Sequence, residues 1–317
     1  MNTIISGDQD SKNTAPRTQF EIQKILVPLD FSDPAEQALR YAVIFAAKLN
    51  GKITPFHVIE PGPLLDDASG IDDGTNPILR RAAERLSMQA SRHGDPKLFD
   101  TAQVRVGRPP HQIGLAASEL GSELIVISTQ GYTGLDYVLL GGTAERVIRE
   151  APCAVLVVRR VITPLSEPKS ILVPVDFSPA SLNGLRYALG LAHRMGARIT
   201  VVHVVEPPGP MARLEVDAGA YVRKLCEGAR FRLSALHLDV DEPVSGFDTV
   251  VRSGLSYHET VDLAREGAFD LIVMASLGRS GIADRLLGST AERVVRHAPC
   301  PVLVVRGRAF AGQQTAQ

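Results

Sequence analysis

The residues with most chemical promise in this 317-residue chain are glycines. One stretch reads Ser128-Thr-Gln-Gly131-Tyr-Thr-Gly134 and, six residues on, Gly141-Gly142-Thr143. A second reads Ala275-Ser-Leu-Gly278-Arg-Ser-Gly281 and, six residues on, Gly288-Ser289-Thr290. Both run into Ala-Glu-Arg-Val, which reads as a helix. A glycine-rich loop entering a helix presents unpaired backbone N–H groups and the positive end of the helix dipole, the requirements for holding phosphate. Glycines also serve simply to permit tight turns. Two clusters before the same helix, occurring twice, favour the anion reading. Neither stretch is a P-loop, because no Gly-Lys-Ser/Thr follows, and neither has the dinucleotide-binding spacing.

Other residue types are weighed beside the glycines. Asp30 and Asp176 each follow a short apolar run. An acid there can accept hydrogen bonds from a ribose hydroxyl or an adenine amine, or it can cap the next helix, and both readings stay open. Ser289-Thr-Ala-Glu292 fits a capping box, which competes with a phosphate contact for the Ser289 hydroxyl. In the first copy that slot is Gly142. His57 and His203 read as partly buried, hydrogen-bonded strand histidines. Cys153 and Cys300 read as small apolar packing, and the aspartates at 66, 67, 72 and 73 as a solvated loop. No metal-ligand spacing and no Ser–His–Asp or Cys–His arrangement emerges, so no catalytic residue is assigned.

The elements that must position these residues form a duplicated unit. Ile25-Leu-Val-Pro-Leu-Asp-Phe-Ser32 returns as Ile171-Leu-Val-Pro-Val-Asp-Phe-Ser178, and His57-Val-Ile-Glu-Pro61 as His203-Val-Val-Glu-Pro207. Segments 131–158 and 278–305 align without a gap with 18 of 28 positions identical, which marks two copies of a whole domain. The expected organisation is a disordered tail at 1–19, a domain at 20–160, a linker at 161–169, a domain at 170–307 and a tail at 308–317. Within a copy, short apolar strands alternate with helices. Ser32 and Ser178 supply caps, Pro34 and Pro179 open helices, and Gly51 reads as a helix stop. A third strand is expected over 99–106 and the last at 155–158. The fold class is α/β, a parallel sheet covered by helices on both faces, with ligands at the carboxyl ends of the strands.

Composition sets limits. A formal charge of -1 lacks the basic excess of a nucleic-acid binder and the polybasic attraction to anionic membranes. Three cysteines cannot frame this much chain with disulfides, and no leader or spanning stretch stands out, so a cytoplasmic location is expected.

The motifs as a set resemble the universal stress protein (UspA) family. Ile-Leu-Val-Pro-x-Asp-Phe-Ser, His-Val-x-Glu-Pro and the run Leu-Leu-Gly-Ser-Thr-Ala-Glu-Arg-Val-Val-Arg-His-Ala-Pro-Cys-Pro-Val-Leu-Val-Val at 286–305 carry the resemblance through both copies. It implies a tandem member with two five-stranded parallel-sheet domains of the adenine-nucleotide alpha-hydrolase-like (Rossmann-like) type. It also implies pairing through the last strands, either between the two copies as an intrachain pseudo-dimer or between chains as a homodimer. In one subgroup it implies binding of ATP with Mg²⁺ through Gly-x2-Gly-x9-Gly-Ser/Thr. Carried over by position, the second copy supplies Ala275, Gly278, Gly288, Ser289 and Thr290, with Asp176 and Val204 at the adenosine end. The first supplies Ser128, Gly131, Gly141, Gly142 and Thr143, with Asp30 and Val58. Ala275, Ser128 and Gly142 depart from the pattern, so the second copy is the better expected adenine-nucleotide site. The alternative is a stress-response protein that binds partners instead of nucleotide. Arg279 is the nearest expected cation.

Overall fold

The protein is described by a computed structural model, covering residues 20–61, 76–129, 140–159, 166–207, 218–236, 246–278 and 287–306. The first copy runs β1 (Lys24–Pro28), α1 (Asp33–Leu49), β2 (Lys52–Ile59), α2 (Pro77–Ser91), β3 (Gln103–Val106), α3 (Pro109–Glu119), β4 (Leu124–Ser128), α4 (Gly142–Glu150) and β5 (Ala154–Val158). The second repeats it as β6 (Ser170–Pro174), α5 (Pro179–Met195), β7 (Arg198–Val205), α6 (Ala218–Ser234), β8 (Asp248–Ser253), α7 (Ser256–Glu266), β9 (Leu271–Ala275), α8 (Ser289–His297) and β10 (Val302–Val305). The tails, residues 161–165 of the linker and the aspartate loop lie outside the described residues.

All ten strands form one sheet in the order β3-β2-β1-β4-β5-β10-β9-β6-β7-β8. Every pairing within a copy is parallel, and β5 meets β10 antiparallel. The expected intrachain pairing of the last strands is therefore present. The interchain version is corrected: β5 lies between β4 and β10, and β10 between β5 and β9, so neither has an edge left for a second chain. Strands β4, β5 and β9 are buried at every position, as central strands of a parallel sheet with two covered faces require. Side chains alternate between those faces. Leu124, Val126, Leu156 and Leu303 join the core beneath α1 and α5, while Ile125, Ile127, Val155 and Val302 join the core on the opposite face.

Local signals act as expected at several helix starts. Ser32 caps α1 by accepting from Ala35 N at 3.3 Å, and Ser178 caps α5 by accepting from Ser181 N at 3.2 Å. Two expectations need correction. Helix α1 stops at Asn50, whose φ of 55° is the left-handed cap, and Gly196 holds the same place after α5 with φ 62°. Gly51 is glycine for a different reason: a Cβ there would meet Ile22 O at 2.5 Å. The third strand is shorter than expected, because Pro96–Leu98 forms a 3-10 turn and Phe99 keeps only an isolated bridge to Ile53. Cys153 and Cys300 are buried and their thiols are pushed up to about 12 by desolvation, in line with packing. Among the described residues no helix is long and apolar enough to cross a membrane.

Candidate functional site

The carboxyl ends of the strands hold a cavity in each copy. The turn after β1 sets its floor. Phe31 and Phe177 have φ of 65° and 63°, a left-handed conformation that is strained for a bulky side chain. The same contacts hold it in place in both copies. The Oδ1 atom of Asp30 accepts from Ser32 N at 3.1 Å and from Ser32 Oγ at 2.5 Å. Asp176 does the same for Ser178 at 3.0 and 2.6 Å. The two readings of this acid thus divide between its oxygens. Oδ1 secures the residue that caps the helix, without being the cap itself. Asp176 Oδ2 lies beside Gly278, where a Cβ would stand 2.7 Å from it.

The phenylalanine rings sit between a histidine and an arginine. His57 packs on Phe31 with ring centroids 4.5 Å apart, and Arg85 lies 4.0 Å over the same ring. In the second copy, His203 stands 4.6 Å from Phe177 and Arg232 3.8 Å over it. The Nδ1 of His57 lies 2.6 Å from Leu29 O, and that of His203 lies 2.8 Å from Val175 O. Both are half-buried strand histidines, as expected. Desolvation is the main influence on His57 and lowers its pKa, favouring the neutral ring with Nδ1–H donating. The sequence reading passed over the two arginines, which reach the rings from α2 and α6; their signal is that Arg85-Leu-Ser87 returns as Arg232-Leu-Ser234.

The glycine segments close the other side. Gly141 N donates to Thr129 O at 2.8 Å and Gly288 N to Ser276 O at 2.8 Å, drawing each loop's two ends together. Gly131, Gly134, Arg279 and Gly281 lie outside the described residues. The capping box at Ser289 does not form. Gly288 is the N-cap of α8, Ser289 is its first helical residue, and no side chain caps the helix. Glu292 instead accepts from Arg296 at 2.8 Å. The helix begins one residue before the pattern predicts, so the Ser289 hydroxyl is not engaged in capping. At Gly142 a Cβ would meet nothing within 4 Å, so that position lacks a hydroxyl and not the room for one. Ala275 and Ser128 end their strands without positive φ, so their side chains add no backbone strain.

In the second copy these pieces enclose about 900 Å³. Asp176, Val204, Ala275, Gly278, Gly288, Ser289 and Thr290 all line that single cavity. Lys224 and Arg232 of α6 also line it, cations that the sequence reading did not single out. In the first copy the cavity measures about 290 Å³ and is lined by Asp30, Val58, Ser128, Gly141, Gly142 and Thr143. Small-molecule sites span about 300–1,000 Å³, so the larger cavity can take a nucleotide-sized ligand and the smaller falls at the lower bound. The residues of the second copy also suit an adenine nucleotide chemically. They combine a carboxylate, an apolar strand position, glycines whose missing Cβ leaves the backbone approachable, and a helix start with its N–H groups. Among the described residues no cluster of His, Cys, Asp and Glu could hold a metal ion.

A sequence profile for the universal stress protein family matches residues 21–159 and 167–306. The chain is 26% identical over 299 residues to a universal stress protein of Mycolicibacterium smegmatis, covering 90% of this chain and 97% of that relative. One of Methanocaldococcus jannaschii is 32% identical over 140 residues, which is 44% of this chain and 82% of the relative. Among solved structures, a universal stress protein from Archaeoglobus fulgidus superposes with a TM-score of 0.65 at 22% identity, over 91% of this chain and all of that one.

Proposed function

The chain belongs to the universal stress protein family, and on that footing we propose that it is a cytoplasmic stress-response regulatory module that binds ATP or another adenine nucleotide, mainly in its second domain. One observation carries the reading. Seven residues chosen from the sequence, spread from Asp176 to Thr290, line one cavity of about 900 Å³. In this arrangement Asp176 and Val204 face the adenosine. The Gly278 and Gly288 backbone, the Ser289 hydroxyl and the first turn of α8 face the phosphates. Mg²⁺ enters with the nucleotide. The module acts by binding, with hydrolysis slow at most. Titration calorimetry with ATP and Mg²⁺ tests this, with at most about one site per chain expected. Ser289→Ala with Gly278→Val abolishes uptake, the valine because it displaces the Asp176 carboxylate. Unchanged binding would sink the assignment.

A second reading, an interaction protein that works without nucleotide, draws on the first domain. Its cavity of about 290 Å³ and the glycine at 142 both weaken it as a nucleotide site. Denaturing the purified protein and reading the released absorbance at 260 nm separates the two readings.

A further inference from the structure

The two cavities differ in charge more than in backbone. The first is lined by the carboxylates of Asp30 and Glu60 and, among its described lining residues, by no lysine or arginine. The second has the equivalent carboxylates, Asp176 and Glu206, and adds Lys224 and Arg232. Helix α6 is what supplies them. By the offset between copies, its first residue, Ala218, corresponds to position 71, whereas α2 begins at Pro77. The extra turns carry Tyr221, and the residue equivalent to Lys224 is Pro77, where α2 begins, so the first copy has no cation at that place. Arg232 corresponds to Arg85, which lies over Phe31 as Arg232 lies over Phe177. Lys224 and Arg232 are eight residues apart, about 12 Å along the helix, so they meet the cavity at two separate points. Arg232 also borders the groove that leads from Asp176 and Gly278 over the start of α5. Its guanidinium carbon lies 3.8 Å over the Phe177 ring, a contact that anchors the side chain beside the cavity.

We propose that Lys224 and Arg232 are the charge-recognising residues of the second cavity, making it select a phosphorylated nucleoside over the free nucleoside. The inference rests on the nucleotide-binding reading above and extends it to residues on α6. A polyanion entering the cavity meets two carboxylates, and the two cations offset them. The first copy keeps the arginine, as Arg85 on Phe31, but has Pro77 in the place of Lys224, so it offsets its carboxylates with one cation fewer.

The test is calorimetric titration of adenosine and of ATP into the full chain and into Lys224→Gln, Arg232→Gln and the double variant, at low and moderate salt. In the wild type, ATP binds tighter than adenosine, and its affinity falls with salt. In the double variant ATP affinity drops roughly ten- to hundredfold and becomes less salt-dependent. Adenosine affinity stays within about twofold, and Lys224→Arg, which keeps the charge, keeps ATP. Thermal unfolding midpoints confirm that the variants remain folded. An unmoved ATP-to-adenosine ratio, or an equal loss of both ligands, overturns the inference and leaves nucleotide binding standing. A wild-type chain that takes up neither ligand overturns that reading and the inference with it.

Discussion

Leu156 of β5 and Leu303 of β10 lie opposite each other across the antiparallel seam. They are the same position of the two copies, and Val155 with Val304 and Val157 with Val302 complete the exchange about that point. The two sheets therefore meet as the halves of a twofold-symmetric dimer would, through self-complementary surfaces within one chain. Both leucines are fully buried in one core shared by α1 and α5. Leu303→Ala and Leu156→Ala should each cost about 2–5 kcal/mol through lost burial and the cavity left behind. The pair should cost less than the sum, because both open the same hole. Urea denaturation of the single and double variants checks this. A wild-type curve with two separated transitions would contradict a shared core.

Glu206 accepts from Ser256 N at 3.2 Å and from Ser256 Oγ at 2.6 Å, at the first turn of α7. Glu60 occupies the same place in the first copy, but the residue facing it there is Pro109, which has no N–H to donate. Glu206→Ala should therefore lower stability by roughly 1 kcal/mol, in the range of a lost helix cap. Glu60→Ala should change it by less than about 0.5 kcal/mol, as an ordinary surface substitution. Chemical denaturation of the two variants side by side gives the comparison. Equal losses would show that the capping contact is not what distinguishes the two sites.

His57 gives the protein a pH dependence with a definite sign. Burial depresses its folded pKa below the 6.5 of the free side chain. Below 6.5 the unfolded chain takes up a proton that the folded chain resists, so this residue's contribution to stability falls as pH drops through that window. Above 6.5 both states are neutral and the dependence vanishes. Denaturation midpoints at pH 8 and pH 5 should differ less in His57→Gln than in the wild type. A variant with the same loss on acidification would remove His57 as a source.

Most of the strand and helix order was legible in the sequence, because each signal acts locally. Apolar runs such as Leu271–Ala275 become buried strands, and Ser32 and Ser178 cap helices from adjacent positions. The turn acids and the glycines were legible too, since duplication repeats them at the strand ends. What was not legible depends on how elements approach. Arg232 reaches Phe177 only because the α6 face lies over the turn after β6, and no spacing encodes that. Ser289-Thr-Ala-Glu292 misleads because a capping box and the first turn of a helix share the same letters. Asn50 and Gly51 show the same limit: the glycine looks like the helix stop, but Asn50 takes the left-handed cap and Gly51 is kept without a Cβ by Ile22 O, a contact from outside the helix.

The antiparallel seam also has a directional consequence. All strands of one copy run opposite to all strands of the other, and each cavity lies at the carboxyl ends of its own strands. The two mouths therefore open on opposite rims of the sheet. A small ligand cannot bridge them, and a protein docked over one rim leaves the other in contact with solvent. Each chain thus has two independently addressable ports, and one can be occupied or blocked without obstructing the other.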